Sequence, residues 1–526
     1  MTAQDICGAL EWRVYNGSGV RQDVALPEAR GSRVLQQVAG DGDAGFTIPL
    51  SAAALVANPD VLESGILRAA MVLGANEAPT EIGGWELVPN DGTLWSEDEA
   101  VGQELRVKPR SLRALLSYAP VQDEGLSGFT SNVGARVFGW MSPKSTYWFN
   151  SSDWTAPVSI GTPHPRGWPA SGSVKKISAS SSTPAVNEIH LFRTTFALTT
   201  TTTVKIWWIG DDIATIYWNS YALGISPPGG KLRTNTLRLP AGLHTIAFEV
   251  KNTGGPTLGI TAVVAALDNT THQPTRVLRQ TDTTNWTAHK VVSGVHPGWT
   301  AAGIFLKLLA EAQALGVYGS ASLVPDFTPT HDSAGVAWPH VEPTKVFTVG
   351  QPLDEVVKIL EELAFDLHIE ADGTVQAFVQ QGDDDTAVVL EPGVNLLRLD
   401  QTGVPIAGTI AIVHTQAGWT EVVDAGHTTY GDRYLAVTSG DSGSIVQGQR
   451  LGASILATAA HPRYRFTAVI RAVDGAVPFR DFNKGSIVTS LVRAGLYAPV
   501  RVMSIALDTP TDTPGPVLIT LELEAA

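Results

Sequence analysis

Two aromatic pairs and one acidic pair lie within fifteen positions of each other and could together form a ligand-binding surface. The residues concerned are Trp207, Trp208, Asp211, Asp212, Tyr217, Trp218, Asn219 and Tyr221. Because neighbouring side chains of a strand point to opposite faces, we expect one member of each aromatic pair outside the core. An exposed ring could stack on the apolar face of a sugar, with carboxylate and amide groups binding its hydroxyls. The alternative is that all these rings are core or pack against another domain.

Asp211 and Asp212 could also act as a general acid and base. Glycoside hydrolysis requires carboxylates on both sides of the bond that breaks, and no second pair accompanies these two. A turn at the start of a strand is the favoured interpretation of this acidic pair.

Two short strings match those around the nucleophile and the histidine of trypsin-like proteases. They are Gly440-Asp441-Ser442-Gly443 and Thr458-Ala459-Ala460-His461. Those enzymes carry histidine, aspartate and serine in that chain order, whereas here the serine string comes first. A surface loop followed by a helix end is therefore favoured, and we expect no catalytic residue.

Metal binding is the next possibility, at His331-Asp332 with His340 and at the acidic run 383–385. A transition-metal site needs three or four ligands of definite geometry, and no HExxH motif or second cluster accompanies the histidines. The acidic run could bind calcium, but a solvated turn is the commoner outcome. We expect no metal and no cofactor.

The elements around the aromatic pairs indicate an antiparallel sandwich. Short strands separated by Gly, Pro and Asn run from Phe192 to Ile260, with a turn at Pro240-Ala241-Gly242. This arrangement resembles the galactose-binding-like jelly rolls of many carbohydrate-binding modules. The resemblance reaches back to the stretch Phe149 to Pro157 and implies a glycan-binding role.

Composition sets the class of protein. A chain of 526 residues is long enough for two to four domains, and 44% hydrophobic with 17% charged residues is typical of globular proteins. The single cysteine excludes an internal disulfide framework, which suits assembly in a reducing cytoplasm. No apolar run approaches the roughly 20 residues of a membrane helix, and no signal segment is recognised, so we expect neither secretion nor membrane insertion.

Charge and tryptophan are unevenly distributed. Residues 122–275 carry 11 Lys and Arg against 8 Asp and Glu, whereas the whole chain has a net charge of −15. The remainder is therefore at −18, and an acidic surface repels nucleic acid although it would suit the wall of a channel that DNA must pass. The same segment holds seven of the fourteen tryptophans, which marks it as a separate domain.

The flanking sequence predicts strands and two amphipathic helices. Apolar residues recur at helical spacing from Ile304 to Leu315, before Gly316, and again from Leu353 to Ala364. Asp372-Gly373 is a strong turn signal between two short strands. The C-terminal third returns to strands.

These flanks resemble the minor tail proteins of actinobacterial siphophages. The matching stretches are TAAGIFLKLLAEAQALG, DFTPTHDSAGVAWP, FTVGQPLDEVVKILEELAFDLHIEADGTVQAF and GSIVTSLVRAGLYAPVRVMSIALD. The resemblance covers residues 276–526 and, more loosely, 1–120. It implies a homotrimer like the baseplate hub of contractile tails, with two small β-barrels per subunit around the tube lumen. It also implies distal tail and tape measure proteins as neighbours in the virion tail tip, after assembly in the host cytoplasm.

The fold expected is mainly β with some α, as hub-type barrels plus an inserted jelly roll. We predict an N-terminal barrel-like domain at 1–121, the inserted domain at 122–275, α+β hub domains at 276–400 and a C-terminal barrel at 401–526. The function expected is a structural, non-enzymatic tail-tip hub whose insert binds a host cell-wall or capsular glycan. The alternatives are a tail-associated cell-wall hydrolase and a stand-alone carbohydrate-binding adhesin.

Overall fold

The structure is a computed structural model of the full chain. It describes all residues except a set of short segments. These segments are 1–8, 16–20, 27–28, 39–41, 59–61, 63–64, 73–78, 88–93, 99–101, 123–134, 140–153, 162–173, 219–220, 227–230, 269, 292–298, 318–322, 340–343, 362, 371, 383, 416–417, 439–444, 461–462, 494, 510–516 and 526.

The first half of the chain forms mostly strands. They are β1 (Ala9–Tyr15), β2 (Arg21–Ala25), β3 (Arg30–Gln37), β4 (Asp43–Pro49), β5 (Gly65–Val72), β6 (Thr80–Leu87), β7 (Leu94–Asp98), β8 (Gly102–Val107), β9 (Arg110–Ser111), β10 (Ala135–Gly139), β11 (Val158–Gly161), β12 (Lys176–Ser178), β13 (Ile189–Leu198), β14 (Thr202–Asp211), β15 (Ile213–Trp218), β16 (Tyr221–Ser226), β17 (Arg233–Leu239) and β18 (Gly242–Lys251). Helix α1 (Ala53–Ala57) and a 3-10 helix (Leu112–Tyr118) interrupt them.

The second half is also mainly strands. They are β19 (Gly259–Leu267), β20 (Pro274–Gln280), β21 (Thr287–Lys290), β22 (Val324–Pro325), β23 (Thr344–Thr348), β24 (Asp366–Ile369), β25 (Thr374–Phe378), β26 (Asp384–Leu390), β27 (Leu396–Val404), β28 (Ile410–Thr415), β29 (Gly418–Val423), β30 (Tyr434–Thr438), β31 (Arg463–Ile470), β32 (Ile487–Arg493), β33 (Leu496–Asp508) and β34 (Leu518–Ala525). The helices are α2 (Ala301–Ala314), α3 (Leu353–Glu361), α4 (His427–Tyr430) and α5 (Ile445–Ala459). The expected fold class, mainly β with some α, is confirmed.

Strands from both ends of the chain share one ten-stranded sheet. Its order is β27-β31-β34-β33-β3-β4-β8-β7, with β32 on β33 and β26 on β32. Strand β3 pairs antiparallel with β33, so that Arg33 lies opposite Asp508. Separate N-terminal and C-terminal barrels were expected. Instead the two ends form a common sheet, and no strand order among the described residues closes into a barrel.

A five-stranded sheet of order β2-β1-β5-β6-β9 covers this large sheet, and the two form the main body. Their inward side chains belong to one hydrophobic cluster. Trp12 of the smaller sheet packs 4.9 Å from Phe46 of the larger one, measured between ring centroids, and 6.0 Å from Trp85. Burial of such large rings supplies much of the stabilisation of a two-layer core.

The helical unit contains the two predicted helices and the predicted hairpin. It combines the 3-10 helix, α2, α3, β10 and β22 to β25 around a second hydrophobic cluster. Thr300 caps α2 by accepting a hydrogen bond from the Gly303 amide, and the chain leaves the helix at Gly316 with φ of +69°. Strands β24 and β25 form the predicted hairpin at Gly373.

The sandwich consists of two sheets that face each other across a third hydrophobic cluster. One has the order β11-β12-β19-β14-β17 with β20 on β19, and the other has the order β16-β15-β18-β13-β21. All its strands are antiparallel. This agrees with the antiparallel sandwich that the turn spacing predicts.

The predicted limits of this domain, 122 and 275, do not agree with the strand pairing. At the first limit, β10 pairs with β23 of the helical unit and not with the sandwich. At the second, β20 and β21 continue the two sheets to Lys290. The short strand at 274–280 was missed because its residues are mostly exposed and show no clear alternation.

A small unit interrupts the last third of the chain, which was expected to be a barrel. Strands β28, β29 and β30 form a three-stranded sheet, and α5 packs on one face of it through Leu451 and Leu456. This unit lies between β27 and β31, which pair with each other in the main body. No helix in the described part of the chain is long and apolar enough to cross a membrane.

Candidate functional site

The first aromatic pair of the predicted glycan site is buried on both faces of its strand. Trp208 is 1% exposed inside the sandwich, where its indole N–H donates a 2.8 Å hydrogen bond to Asn235. Trp207 points to the other face but is only 8% exposed, against Ala265 and Leu267. The expectation that one ring of this pair lies outside is therefore wrong.

Asp211 and Asp212 bind neighbouring loops. The Asp211 carboxylate pairs with the ammonium of Lys176 and accepts a 2.6 Å hydrogen bond from the Thr257 hydroxyl. Asp212 accepts hydrogen bonds of 2.8 and 2.9 Å from the amide and hydroxyl of Thr253. Burial opposes ionisation of Asp212, but these hydrogen bonds prevail and hold its pKa below the ordinary value. The pair therefore behaves as loop-fixing carboxylates.

The second aromatic pair ends strand β15, between β16 and β18. Tyr217 packs on its outer face against Leu191 and Ala247, and burial together with Glu249 raises its pKa. The indole N–H of Trp218 donates a 3.2 Å hydrogen bond to Nδ1 of the buried His244, and the two rings stack. Burial lowers the pKa of His244, which matches a neutral ring that accepts this bond.

The remaining two predicted residues belong to the connection after β15. Asn219 lies outside the described residues, and of Tyr221 only the backbone is described, paired with Trp218. The acidic pair lies at the opposite end of β15, six residues or about 20 Å away. The predicted residues whose side chains the structure describes thus do not form one site, and a single small sugar could not contact both the acidic pair and Trp218.

A cluster that the sequence did not reveal lies on the outer face of the second sheet. The Arg193 guanidinium lies 4.0 Å above the Trp154 ring, and its Nε donates a 3.2 Å hydrogen bond to Thr287. Trp154 also approaches His289, with 5.6 Å between ring centroids. Burial lowers the pKa of Arg193 to about 10. The only available signal was the tryptophan-rich stretch before β11.

A serine, a histidine and a glutamate also form a hydrogen-bonded chain that resembles a hydrolytic triad. The Ser178 hydroxyl lies 3.2 Å from Nδ1 of His190, and Nε2 of His190 lies 2.8 Å from Glu188. Ser178 is 2% exposed and His190 is fully buried, so the hydroxyl does not face solvent where a substrate could approach. Lys290 also binds Glu188. The chain joins β12, β13 and β21.

The other chemical alternatives can be located only in part. Both protease-like strings include residues outside the described part of the chain: 440–443 entirely and His461. Asp332 accepts three backbone hydrogen bonds, from Ala334, Val336 and Val379, as an ordered connector requires. His340 and Asp383 lie outside the described residues. Among those described, no group of three His, Cys, Asp or Glu side chains could hold a metal ion.

Comparisons with known proteins give distant likenesses only. No protein-family model matches the sequence, and no curated protein matches it. Among solved structures, the chain is similar to a tail protein from Neisseria meningitidis MC58, with 10% identity, 98% of this chain and 96% of that chain covered, and a TM-score of 0.43.

Two further structures illustrate the range of these likenesses. One is the prophage tail protein gp18 from Listeria monocytogenes EGD-e, with 8% identity, coverages of 97% and 94%, and a TM-score of 0.37. The other is a lectin from Pleurotus ostreatus, with 13% identity, coverages of 55% and 74%, and a TM-score of 0.19. Scores below 0.5 carry no conclusion about this chain.

Proposed function

We propose that the chain is a structural protein of a phage tail, a trimeric tail-tip hub whose sandwich binds a glycan on the host surface. The sequence resemblance of the flanks to minor tail proteins supports the first part. The jelly-roll-like strand order and the tryptophan-rich sequence of the insert support the second. The hub would continue the tube lumen and contact the distal tail and tape measure proteins.

The observation that carries this proposal is the way the sandwich is attached. Phe138, before the segment, and Trp299, after it, contact each other in the core of the helical unit, with 5.1 Å between ring centroids. Within the sandwich, Thr155 and Ala288 exchange backbone hydrogen bonds of 2.9 and 3.0 Å. The chain therefore leaves and re-enters the helical unit at one place, as expected for a domain inserted into a surface loop.

For the glycan contact we propose the end of the sandwich at the β15–β16 connection. Trp218 ends β15 there, and Asn219 and Tyr221 follow it in the sequence, whereas Trp207 and Trp208 are buried and Asp211 and Asp212 lie at the opposite end of β15. Shallow contacts would suffice because three linked sites gain on the order of 10² to 10⁴ in apparent affinity when all can bind together.

A pull-down with host cell walls tests this contact. The full chain should sediment with purified walls, and Asn219→Ala combined with Tyr221→Ala should reduce the bound fraction severalfold. Tyr434→Ala is the matched control, since Tyr434 is 62% exposed on the small unit and should leave binding unchanged. Equal binding by all three proteins would refute the proposed contact.

The hydrolase alternative predicts a different result in the same preparation. Incubation of the chain with walls would then release soluble saccharides or peptides, and Ser178→Ala would abolish the release. We expect no release above a buffer control, because the described serine–histidine–glutamate chain is buried.

A further inference from the structure

A buried polar chain connects the main body to the helical unit. Lys484, on the segment between β31 and β32, is 5% exposed, and its ammonium donates a 2.8 Å hydrogen bond to Nδ1 of His368 on β24. It donates a second bond, of 3.3 Å, to the Gln36 side chain on β3. Nε2 of His368 lies 3.4 Å from the Glu370 carboxylate. We call these four residues the joint.

The joint works with only one protonation state of His368. The ring must be neutral at Nδ1 to accept from Lys484 and must carry its proton on Nε2 to donate to Glu370. A second proton would turn the Nδ1 acceptor into a donor that faces an ammonium group 2.8 Å away. In a site with little water this contact would be strongly repulsive.

We propose that the joint is a pH-sensitive device: protonation of His368 breaks its bond to Lys484 and loosens the helical unit from the main body. Protons can reach the ring because the Glu370 side chain at the end of the joint is 42% exposed. The device is independent of the proposed function of the sandwich.

The surrounding charges favour this behaviour. Burial, and then the charge of Lys484, hold the pKa of His368 below its ordinary value of 6.5. Burial lowers the pKa of Lys484 to about 8, with Glu370 and Asp366 acting against this and Arg113 with it. The hydrogen bond from His368 lowers the pKa of Glu370, whereas the charge of Asp372 acts to raise it.

The sign of the pH effect follows from these directions. An opened joint exposes a histidine with its ordinary pKa of 6.5, whereas the closed joint holds a lower one. Below about pH 6.5 the open form therefore binds more protons, and acid favours opening. Between about pH 8 and 10.5, Lys484 is deprotonated in the closed form but still protonated in the open form. A rise in pH across this range therefore favours the closed joint.

Arg501 of β33 makes further contacts between the two parts that do not involve His368. It lies 3.5 Å from Asp366 and donates a 2.9 Å hydrogen bond to the carbonyl of Gln381. Because these contacts do not depend on the protonation of His368, acidification to pH 5.5 should loosen the joint without separating the two parts.

Hydrogen exchange of the full chain at pH 7.5, 6.5 and 5.5, corrected for intrinsic rates, tests the proposal. Peptides covering β24 and residues 480–486 should lose protection below pH 6.5, by up to about tenfold per pH unit. His368→Gln keeps an acceptor and a donor but cannot be protonated, so its protection there should not change. His331→Gln, at an exposed histidine, should respond like the unaltered chain.

If His368→Gln fails to fold, Lys484→Met provides a second test. Without the ammonium, burial still opposes protonation of His368 but the repulsion from Lys484 is gone, so acid should reduce protection less than in the unaltered chain. The proposal is overturned if the unaltered chain keeps constant protection at β24 and 480–486, or if either variant retains the full acid response.

Discussion

At the scale of single residues, the period of two along β14 correctly places Trp207 and Trp208 on opposite faces. What the sequence could not show is how much space each face leaves. Trp207 packs against Ala265 and Leu267, and these neighbours come from a strand more than fifty positions later. Exposure is a property of the packed sandwich and not of the strand pattern.

Trp208→Ala should therefore destabilise the sandwich strongly. A buried aromatic truncated to alanine costs about 3–5 kcal/mol, and here the Asn235 side chain also loses its donor. Trp207→Ala should lower the stability less, because its ring packs on the outer face against Ala265 and Leu267 and not in the sandwich core. Denaturant unfolding followed by far-ultraviolet circular dichroism compares the two. A larger loss for Trp207 would contradict the assignment of Trp208 to the core.

The buried His190 makes the sandwich sensitive to acid. Burial holds the pKa of His190 below its ordinary 6.5, despite the opposing bond to Glu188. The unfolded chain therefore binds a proton at this histidine more readily than the folded chain does. The free energy of unfolding should fall as the pH drops below about 6.5. The pKa of Glu188 is also lowered, which adds to the loss at still lower pH.

Thermal unfolding at pH 7.5 and 5.5 measures this effect. His190→Gln should narrow the difference in Tm between the two pH values. Part of the difference in Tm should remain in this variant, because burial also lowers the pKa of His244. An unchanged difference in the variant would show that His190 does not carry the effect.

At the scale of elements, sequence signals predicted helices and hairpins best where the whole signal lies within one segment of the chain. Helix α2 has both its cap and its stop glycine, and the β24–β25 hairpin has its Asp-Gly turn. Of helix α5 (Ile445–Ala459) only the end was expected, because glycines at 448 and 452 weaken the helical pattern of the rest. One of them has a packing reason: a Cβ at Gly452 would lie 2.8 Å from Val422 on the sheet beneath.

Two glycines form a contact between elements that no larger residue would permit. A Cβ on Gly382 would lie 2.0 Å from the backbone carbon of Gly485, and one on Gly485 would lie 2.2 Å from the Gln381 carbonyl oxygen. Both also have positive φ, at +106° and +86°. The segments after β25 and before β32 therefore touch backbone to backbone.

Gly382→Ala and Gly485→Ala should each lower the free energy of unfolding by clearly more than backbone strain alone would. The control is Gly393→Ala, at φ of +78° with no atom within 4 Å of the added carbon, where about 1–2 kcal/mol is expected. Denaturant unfolding of the three variants provides the comparison. Similar costs at all three positions would mean that the close approach is unimportant.

At the scale of the whole molecule, the sequence could not reveal which distant strands meet. The pairing of β3 with β33 joins residues more than 460 positions apart, and alternation alone cannot select such a partner. The same limit explains the misplaced ends of the inserted domain. Strand β10 looked like the start of the sandwich because its true partner, β23, follows about 200 positions later.

Two excisions distinguish the predicted limits from the observed ones. Removal of 140–298, with a short Gly/Ser linker from Gly139 to Trp299, should leave a soluble, folded remainder because these ends are already adjacent. Removal of 122–275 should not, since it takes β10 from the helical unit and leaves β20 and β21 without partners. Circular dichroism and the cooperativity of unfolding, measured for both deletion proteins, show which of them is folded. A folded 122–275 deletion would contradict the pairing described.

The most direct test of the whole account is electron cryomicroscopy of the tails that contain this chain, with and without residues 140–298. We predict three copies around the lumen at the tail tip, and three outward lobes that disappear in the deletion while the ring remains. Absence of the chain from purified particles, or its location away from the tip, would contradict it.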